Sequence, residues 1–412
     1  MSFYHGISGL NAASKALDIS GHNIANSGTV GFKKSRVDFS EMVVSASANS
    51  CCNVNGGMGV ATAAVTQQFT QGVIKPTSNG LDMAINGDGF FVIGTPEGTA
   101  YTRNGAFQLD RDGYLVTVQG ERVQGWQDAS ATGSQPADLL FPVAAGIEGK
   151  QTTSVKIGSG NLPATAPDAT SVTPNTPRHT YGTSITVYDS QGVALPVEIY
   201  FVKNGSNTWD VYDGLDDPSA TPPVTYTPIG QVVFDGEGRF DATASTSPLT
   251  LNVDPAVANP NNPPAPFTVD LELSGMTQSD RKWSVGKMTQ DGFASGELMG
   301  VNVSKDGTLM ASYSNGLTRP EGKVALARFT NPQGLAPSGN NNWVPTNDSG
   351  VVVYGSAGAG SFGQIQGAAL EESNVDLTAE LVEMMTAQRS YQANAQTIKT
   401  QDQVFSTLVN LR

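Results

Sequence analysis

The sequence predicts a mostly β chain with terminal α-helices, organised as a nested set of domains. Three observations carry this. Apolar residues recur at alternating steps of four and three near both ends. The interior breaks into short, alternating runs between Gly, Asn and Asp turns. Two Pro-rich stretches punctuate that interior.

The first helix rests on Phe3, Ile7, Leu10, Ser14, Leu17, Gly21 and Ile24, which share one seam as in a heptad pattern. Ser14 and Gly21 weaken it, since Gly costs ~1 kcal/mol against Ala in a helix. The run ANSGTVG at residues 25–31 is expected to end it. The last helix is stronger, because residues 374–411 contain neither Gly nor Pro. Leu377, Leu381, Met384, Gln388, Tyr391, Ala395, Ile398, Asp402, Phe405 and Val409 keep the same rhythm. The expected helix is ~35–40 residues, roughly 55 Å long, which suits a bundle or coiled-coil element.

Between the ends, segments such as LDMAINGDGFFVIG, TAYTRNGAFQLDRDGYLVT, LPVEIYFVK and KDGTLMASYSNG read as strands and hairpins. Asn104-Gly105 and Asp112-Gly113 are expected hairpin turns. The Pro-rich stretches, residues 128–177 and 254–266, read as linkers or surface loops. The resulting layout places a helical domain at 1–30 and 370–412, and a connector at 31–70 and 355–369. A first β-domain takes 71–145 and 285–354, with a second β-domain inserted at 146–284.

The 412 residues leave room for about two to four domains. A formal net charge of −14 disfavours nucleic-acid binding, because an acidic chain repels phosphates. Cys51 and Cys52 are adjacent, so no disulfide framework exists; they read as two small apolar residues. No run is long and apolar enough to span a membrane, and the N-terminus lacks the pattern of a cleaved signal peptide. No metal, cofactor or small-molecule substrate is expected.

Catalytic motifs are equally scarce. There is no G-x-S-x-G, H-E-x-x-H, P-loop or C-x-x-C. Asp110-Arg111-Asp112-Gly113 reads as a hairpin turn rather than a Ca²⁺ loop. Gly57-Met58-Gly59 lacks the context of a phosphate cradle. Glu371-Glu372 and Asp216-Asp217 read as solvated loops rather than acid–base pairs. An enzyme is therefore not expected.

The energetics of the ends bear on function. Ordering a residue costs ~1–2 kcal/mol, and a fully buried Leu, Ile or Phe returns about 1.5–3 kcal/mol. One pair of such helices is marginal alone. The ends are expected to stay disordered in the monomer and to become helical on packing against other copies.

Those ends resemble the flagellar rod and hook axial proteins of bacteria. Ile24, Ala25, Asn26, Thr29, Gly31, Phe32 and Lys33 fall on the family's N-terminal signature. Ser373, Asn374, Val375, Leu377, Leu381, Gln388, Arg389, Tyr391, Asn394, Thr397 and Ile398 fall on its C-terminal one. GLDMAINGDGFF and YTRNGAFQLDRDGYLV are similar to the family's first β-domain. VYDSQG and EIYFVK lie in a large insertion like that of hook subunits; distal rod proteins lack it. Val30 departs from the common pattern, in a loop.

The resemblance implies a homopolymer without cofactor or catalysis, exported through the flagellar type III apparatus without a cleaved signal and located outside the cell. It implies a flexible curved tube that passes torque from motor to filament and encloses the export channel. Implied partners are other copies of the chain, the distal rod, the hook cap and the hook–filament junction protein. Alternatives are a distal rod protein or a secreted β-rich binding module such as an adhesin.

The expected polymerisation residues are Ile7, Leu10, Leu17 and Ile24 in the first helix. In the last they are Leu377, Leu381, Met384, Tyr391, Ile398 and Phe405. Gln388 and Asp402 break that seam, either as tolerated polar positions or as register markers. Gln392, Gln396 and Gln403 form an uncharged flank that could face the export channel. Phe32 has two readings, an anchor between helix and β-body or an exposed loop residue.

Overall fold

A computed structural model describes residues 2–43, 57–127, 135–141, 146–168, 178–214, 227–246, 248–257 and 264–410. Cys51, Cys52, Asp216 and Asp217 lie outside them. The chain divides into two compact units. The first comprises Met1–Ala144, Met299–Ser312 and Thr318–Arg412; the second comprises Ala145–Leu298 and Tyr313–Leu317.

In the first unit, helix α1 spans Ser2–Ala25 and helix α2 spans Leu377–Asn410. α1 stops just before the polar run with two glycines, where Asn26 Nδ2 donates to the His22 carbonyl at 2.9 Å. α2 starts at an N-cap. Asp376 Oδ1 accepts from the backbone N–H of Thr378 at 2.9 Å and Ala379 at 3.3 Å, satisfying donors that the first turn leaves free.

The helices pack antiparallel, and small residues set the approach. A Cβ on Gly6 would lie 2.8 Å from Ile398, and one on Gly9 would lie 2.7 Å from Asn394. The ends are thus helical and paired in the single chain, where the apolar seams led to an expectation of disorder before assembly. The contact comes from a different stripe. Gly6, Ala13, Ser20 and Asn23 are buried, while Phe3 and Ile7 of the apolar seam are exposed. An antiparallel hairpin, Ser35–Val43 with Gly57–Gln67, flanks α1, and Ser8 Oγ accepts from Val60 N–H at 3.4 Å. Gly57-Met58-Gly59 therefore begins a strand, not a phosphate-binding turn.

The first unit also holds a largely antiparallel twelve-stranded sheet. Phe90–Thr95, Gly98–Thr102 and Thr318–Arg328 alternate sides and enclose Phe90, Tyr101, Trp126, Phe329 and Trp343. Edge-to-face contacts join Phe69 to Phe90 and Trp343, and Tyr101 to Phe329. Two short pairings tie distant sequence together: Ile74–Pro76 with Ala369–Glu371, and Met83–Asn86 with Gln364–Gly367. Of the two expected turns, Asp112-Gly113 closes the hairpin Phe107–Leu109 with Leu115–Thr117, with Gly113 at φ 86°. Asn104-Gly105 does not close a hairpin. The flanking strands pair elsewhere, and Gly105 is held by its carbonyl accepting from Met83 N–H at 3.0 Å.

The second unit has a four-stranded antiparallel sheet and a five-stranded mixed sheet sharing one core. Trp209, Ile199 and Val211 on one sheet and Ile157, Leu251 and Val269 on the other are fully buried. The stretch 128–177, expected as linker, contributes the strand Ser154–Pro163, which bonds to three partners. Its Val155/Ile157 alternation outweighs the Pro- and Ser-rich neighbourhood. In VYDSQG, Asp189 Oδ1 accepts from Gln191 and Val193 N–H, each at 2.8 Å, and Gly192 takes φ 77°.

Candidate assembly surface and its anchor

The helix pair leaves apolar surface uncovered. Leu377, Leu381, Val382 and Met385 on α2 are each close to half exposed, and so are Val404 and Phe405 near its far end. On α1, Phe3, Tyr4 and Ile7 are exposed. Of the residues expected to drive assembly, Ile7, Leu377, Leu381, Tyr391 and Phe405 lie exposed. Leu10, Leu17, Ile24, Met384 and Ile398 are partly covered. Gln392, Gln396, Gln403 and Asp402 are exposed on α2.

Below the helices a polar clamp fixes both to the β-body. Glu371 is its centre, with a side chain that has no exposed surface. Its Oε1 accepts from Lys33 Nζ at 2.6 Å and from Gly72 N–H at 2.9 Å. Its Oε2 accepts from Arg103 at 3.1 Å. Lys33 also donates to the Thr70 carbonyl at 2.8 Å, and Arg103 to the Gly87 carbonyl at 2.9 Å. Burial draws the Lys33 pKa below the ordinary lysine value; the Glu371 carboxylate opposes this and the Arg103 guanidinium adds to it. Such a cluster holds only if every charge keeps its partners, because an uncompensated buried charge is costly.

Lys33 of the expected signature loop belongs to this clamp, and its neighbours make contacts of their own. Asn26 Oδ1 accepts from Thr29 Oγ1 at 3.2 Å. Gly31 N–H donates to the Glu371 carbonyl at 2.8 Å. Gly31 sits at φ 70°, and a Cβ there would lie 2.6 Å from Asn104 N, so both conformation and space demand glycine. Phe32 is buried with its ring edge-to-face to His22 at 5.6 Å, so it is not the exposed loop residue of its second reading. Asn374 Oδ1 accepts from Lys34 N–H at 2.8 Å, while its Nδ2 donates to the Gln68 carbonyl at 2.7 Å. Asn23 Nδ2 donates to the Ser35 carbonyl at 2.8 Å and to Glu380 at 3.2 Å, so α1 also grips the base of α2.

Glu371-Glu372 needs correcting. The two carboxylates do diverge, but Glu371 is a buried structural anion rather than part of a solvated loop. Glu372 alone reaches solvent, with a half-buried side chain paired with Lys75 at 3.2 Å. Sequence reasoning missed the clamp because its members lie up to 338 residues apart. The signal available was a Lys and a Glu next to short apolar strands. Among the described residues, no group of three or more His, Cys, Asp or Glu could hold a metal ion. Among the described residues, no helix is long and apolar enough to cross a membrane.

Four family profiles match along the chain. They are "Flagella basal body rod protein" over residues 3–33 and "Flagellar hook protein FlgE/F/G D1 domain" over 84–172. "Flagellar basal body protein FlaE D2 domain" follows over 161–293, and "Flagellar basal body rod FlgEFG protein C-terminal" over 366–411. The flagellar hook protein of Salmonella typhimurium is 39% identical over 423 residues, covering all of both chains.

The chain belongs to the flagellar hook protein family.

The hook protein of Escherichia coli is 38% identical and that of Treponema pallidum 31% identical, each across all of this chain and 99–100% of its own. A crystal structure of a Helicobacter pylori hook protein shares the fold, with a TM-score of 0.51 and 17% identity over 72% of this chain and all of the other. This hook-family chain is a structural subunit, and neither the rod-protein nor the adhesin alternative is favoured.

Proposed function

We propose that copies of this chain polymerise through α1 and α2 into a flexible curved tube. The tube would act as a universal joint, carry torque from motor to filament and enclose the export channel. The observation that carries the reading is the half-exposed apolar face of the helix pair above a fully buried polar clamp. Half-exposed Leu, Val and Met gain about 25 cal/mol per Å² when a neighbour covers them. The clamp makes the helix roots stiff, so force on a β-body reaches the helices rather than being lost in a loose connector.

In this reading the helices form the inner wall, with Gln392, Gln396 and Gln403 as an uncharged lining that does not trap charged export cargo. The residues 31–70 and 355–369 connect the wall to the first β-domain, and the insertion at 146–284 lies outermost. Outer contacts are polar and renewable, so neighbouring domains slide as the tube turns. Export uses the flagellar type III apparatus without a cleaved signal peptide, and the tube grows outside the cell between distal rod and junction protein, beneath a hook cap. No catalysis and no cofactor take part.

The test is electron microscopy of the purified full-length chain under polymerising conditions. Curved tubes of uniform width are expected. A chain that stays monomeric or forms only amorphous aggregate would overturn the reading.

A further inference from the structure

Resting on that polymer reading, we infer that the far end of α2 in one copy seats in a groove at the root of the helix pair of the next copy. The groove is lined mostly by apolar groups, among them Ala12, Ala13 and Ala16 of α1, Val382 and Ala387 of α2, and Phe39 of the hairpin. Small side chains on α1 leave a hollow there. It continues the exposed stripe of Leu381, Val382 and Met385, so it belongs to the same uncovered surface.

The occupant follows from the antiparallel register. Gly6 meets Ile398 and Gly9 meets Asn394, so Ser2 lies opposite about residue 402. Residues 403–410 of α2 reach past that point by about 12 Å of helix. Val404 and Phe405 stand there 52% and 54% exposed. Bulky side chains near the far end of α2 and a hollow floored by the small residues of α1 are complementary.

The symmetry fits as well. A tube built by one repeated operation needs two different patches of the chain to meet, whereas a two-fold dimer joins a patch to itself. Knob and hollow are two such patches, and each copy uses both. With Phe405 at the level of Thr386, neighbouring copies are offset by about 30 Å along α2. Lys399 then falls within about one turn of Glu383 on the next copy, a groove-lining carboxylate of opposite charge.

The test uses full-length chains with Cys51→Ser and Cys52→Ser. One carries Thr386→Cys with Phe405→Cys; these sites are separated by about 28 Å of helix, so a disulfide between them must join two copies. After assembly and oxidation, a ladder of covalent dimers and higher species is expected on denaturing electrophoresis. A second chain carries Thr386→Cys with Gln392→Cys, which the same offset leaves about 20 Å of helix from Thr386 of the next copy, and it is expected to stay monomeric on the gel. Tubes without a ladder from the first chain, or a ladder from the second, would overturn the seating and leave the polymer reading intact. Absence of tubes from the unmodified chain would remove both.

If the first reporter does not assemble, Phe405→Leu and Phe405→Asp decide the matter. The Leu variant should keep the critical concentration within about twofold, and the Asp variant should raise it about tenfold or more. An Asp variant that assembles like the unmodified chain overturns the seating.

Discussion

In the second unit, Trp209, Ile157, Leu251 and Val269 are fully enclosed by their own chain. On α2, Leu381, Val382 and Met385 remain about half exposed, and the intrachain contact is made by Gly6, Gly9 and Ala13 instead. One region completes its core within a single subunit. The other uses its smallest residues for the contact inside the chain and leaves larger ones uncovered. The difference separates what stabilises a subunit from what joins subunits. Within the first unit the clamp around Glu371 is a third solution, where charge rather than apolar area fixes the helices to their own β-body.

The comparison is broken most severely at the clamp. Glu371→Ala strands Lys33 and Arg103 in a buried site and should cost about 3–5 kcal/mol of stability. Denaturant unfolding of the first unit measures this, and a loss below about 1 kcal/mol would mean that the clamp is well hydrated. Leu251→Ala should come next, at about 2–5 kcal/mol, and should act on the second unit. Its unfolding transition should shift while assembly of the folded chain is kept.

A smaller effect depends on pH. Burial alone would raise the Asp291 pKa, but hydrogen bonds from the backbone of Ser154, the hydroxyl and backbone of Thr153, and Lys150 hold it well below the usual carboxylate range. Its contribution is therefore fully present above the unfolded value of about 3.8 and is lost as pH falls below it. Acid titration of the second unit should show a stability decline below about pH 4 that is reduced in Asp291→Asn. An identical acid profile for both chains would remove this residue from the account.

Much of the fold was legible in the sequence, because periodicity is local. The step of four and three marked both helices, and ANSGTVG marked where α1 stops. The Asp112-Gly113 turn was equally local. The failures were matters of tertiary choice. Asn104-Gly105 carries hairpin chemistry, yet its flanking strands find better partners elsewhere. The strand Ser154–Pro163 was hidden by its Pro-rich surroundings, although Val155 and Ile157 alternate as a buried strand should.

The site was legible in part. The seam residues could be named from spacing, but not which stripe meets α1. Small residues carry no hydrophobic signal, so nothing in the spacing singled out Gly6 and Gly9 as the contact itself. The role of Glu371 was illegible for another reason, since its partners are brought to it only by the pairing of Ile74–Pro76 with Ala369–Glu371.

The smallest expected change in subunit stability belongs to the exposed face, and it tests the central claim most directly. Leu381→Ser with Met385→Ser removes half-exposed side chains, so the monomer's unfolding free energy should stay within about 0.5 kcal/mol per site. The critical concentration for tube formation should rise at least about tenfold. An unchanged critical concentration, or a subunit destabilised as strongly as by Leu251→Ala, would contradict the division between a self-sufficient β-core and a helix pair completed by its neighbours.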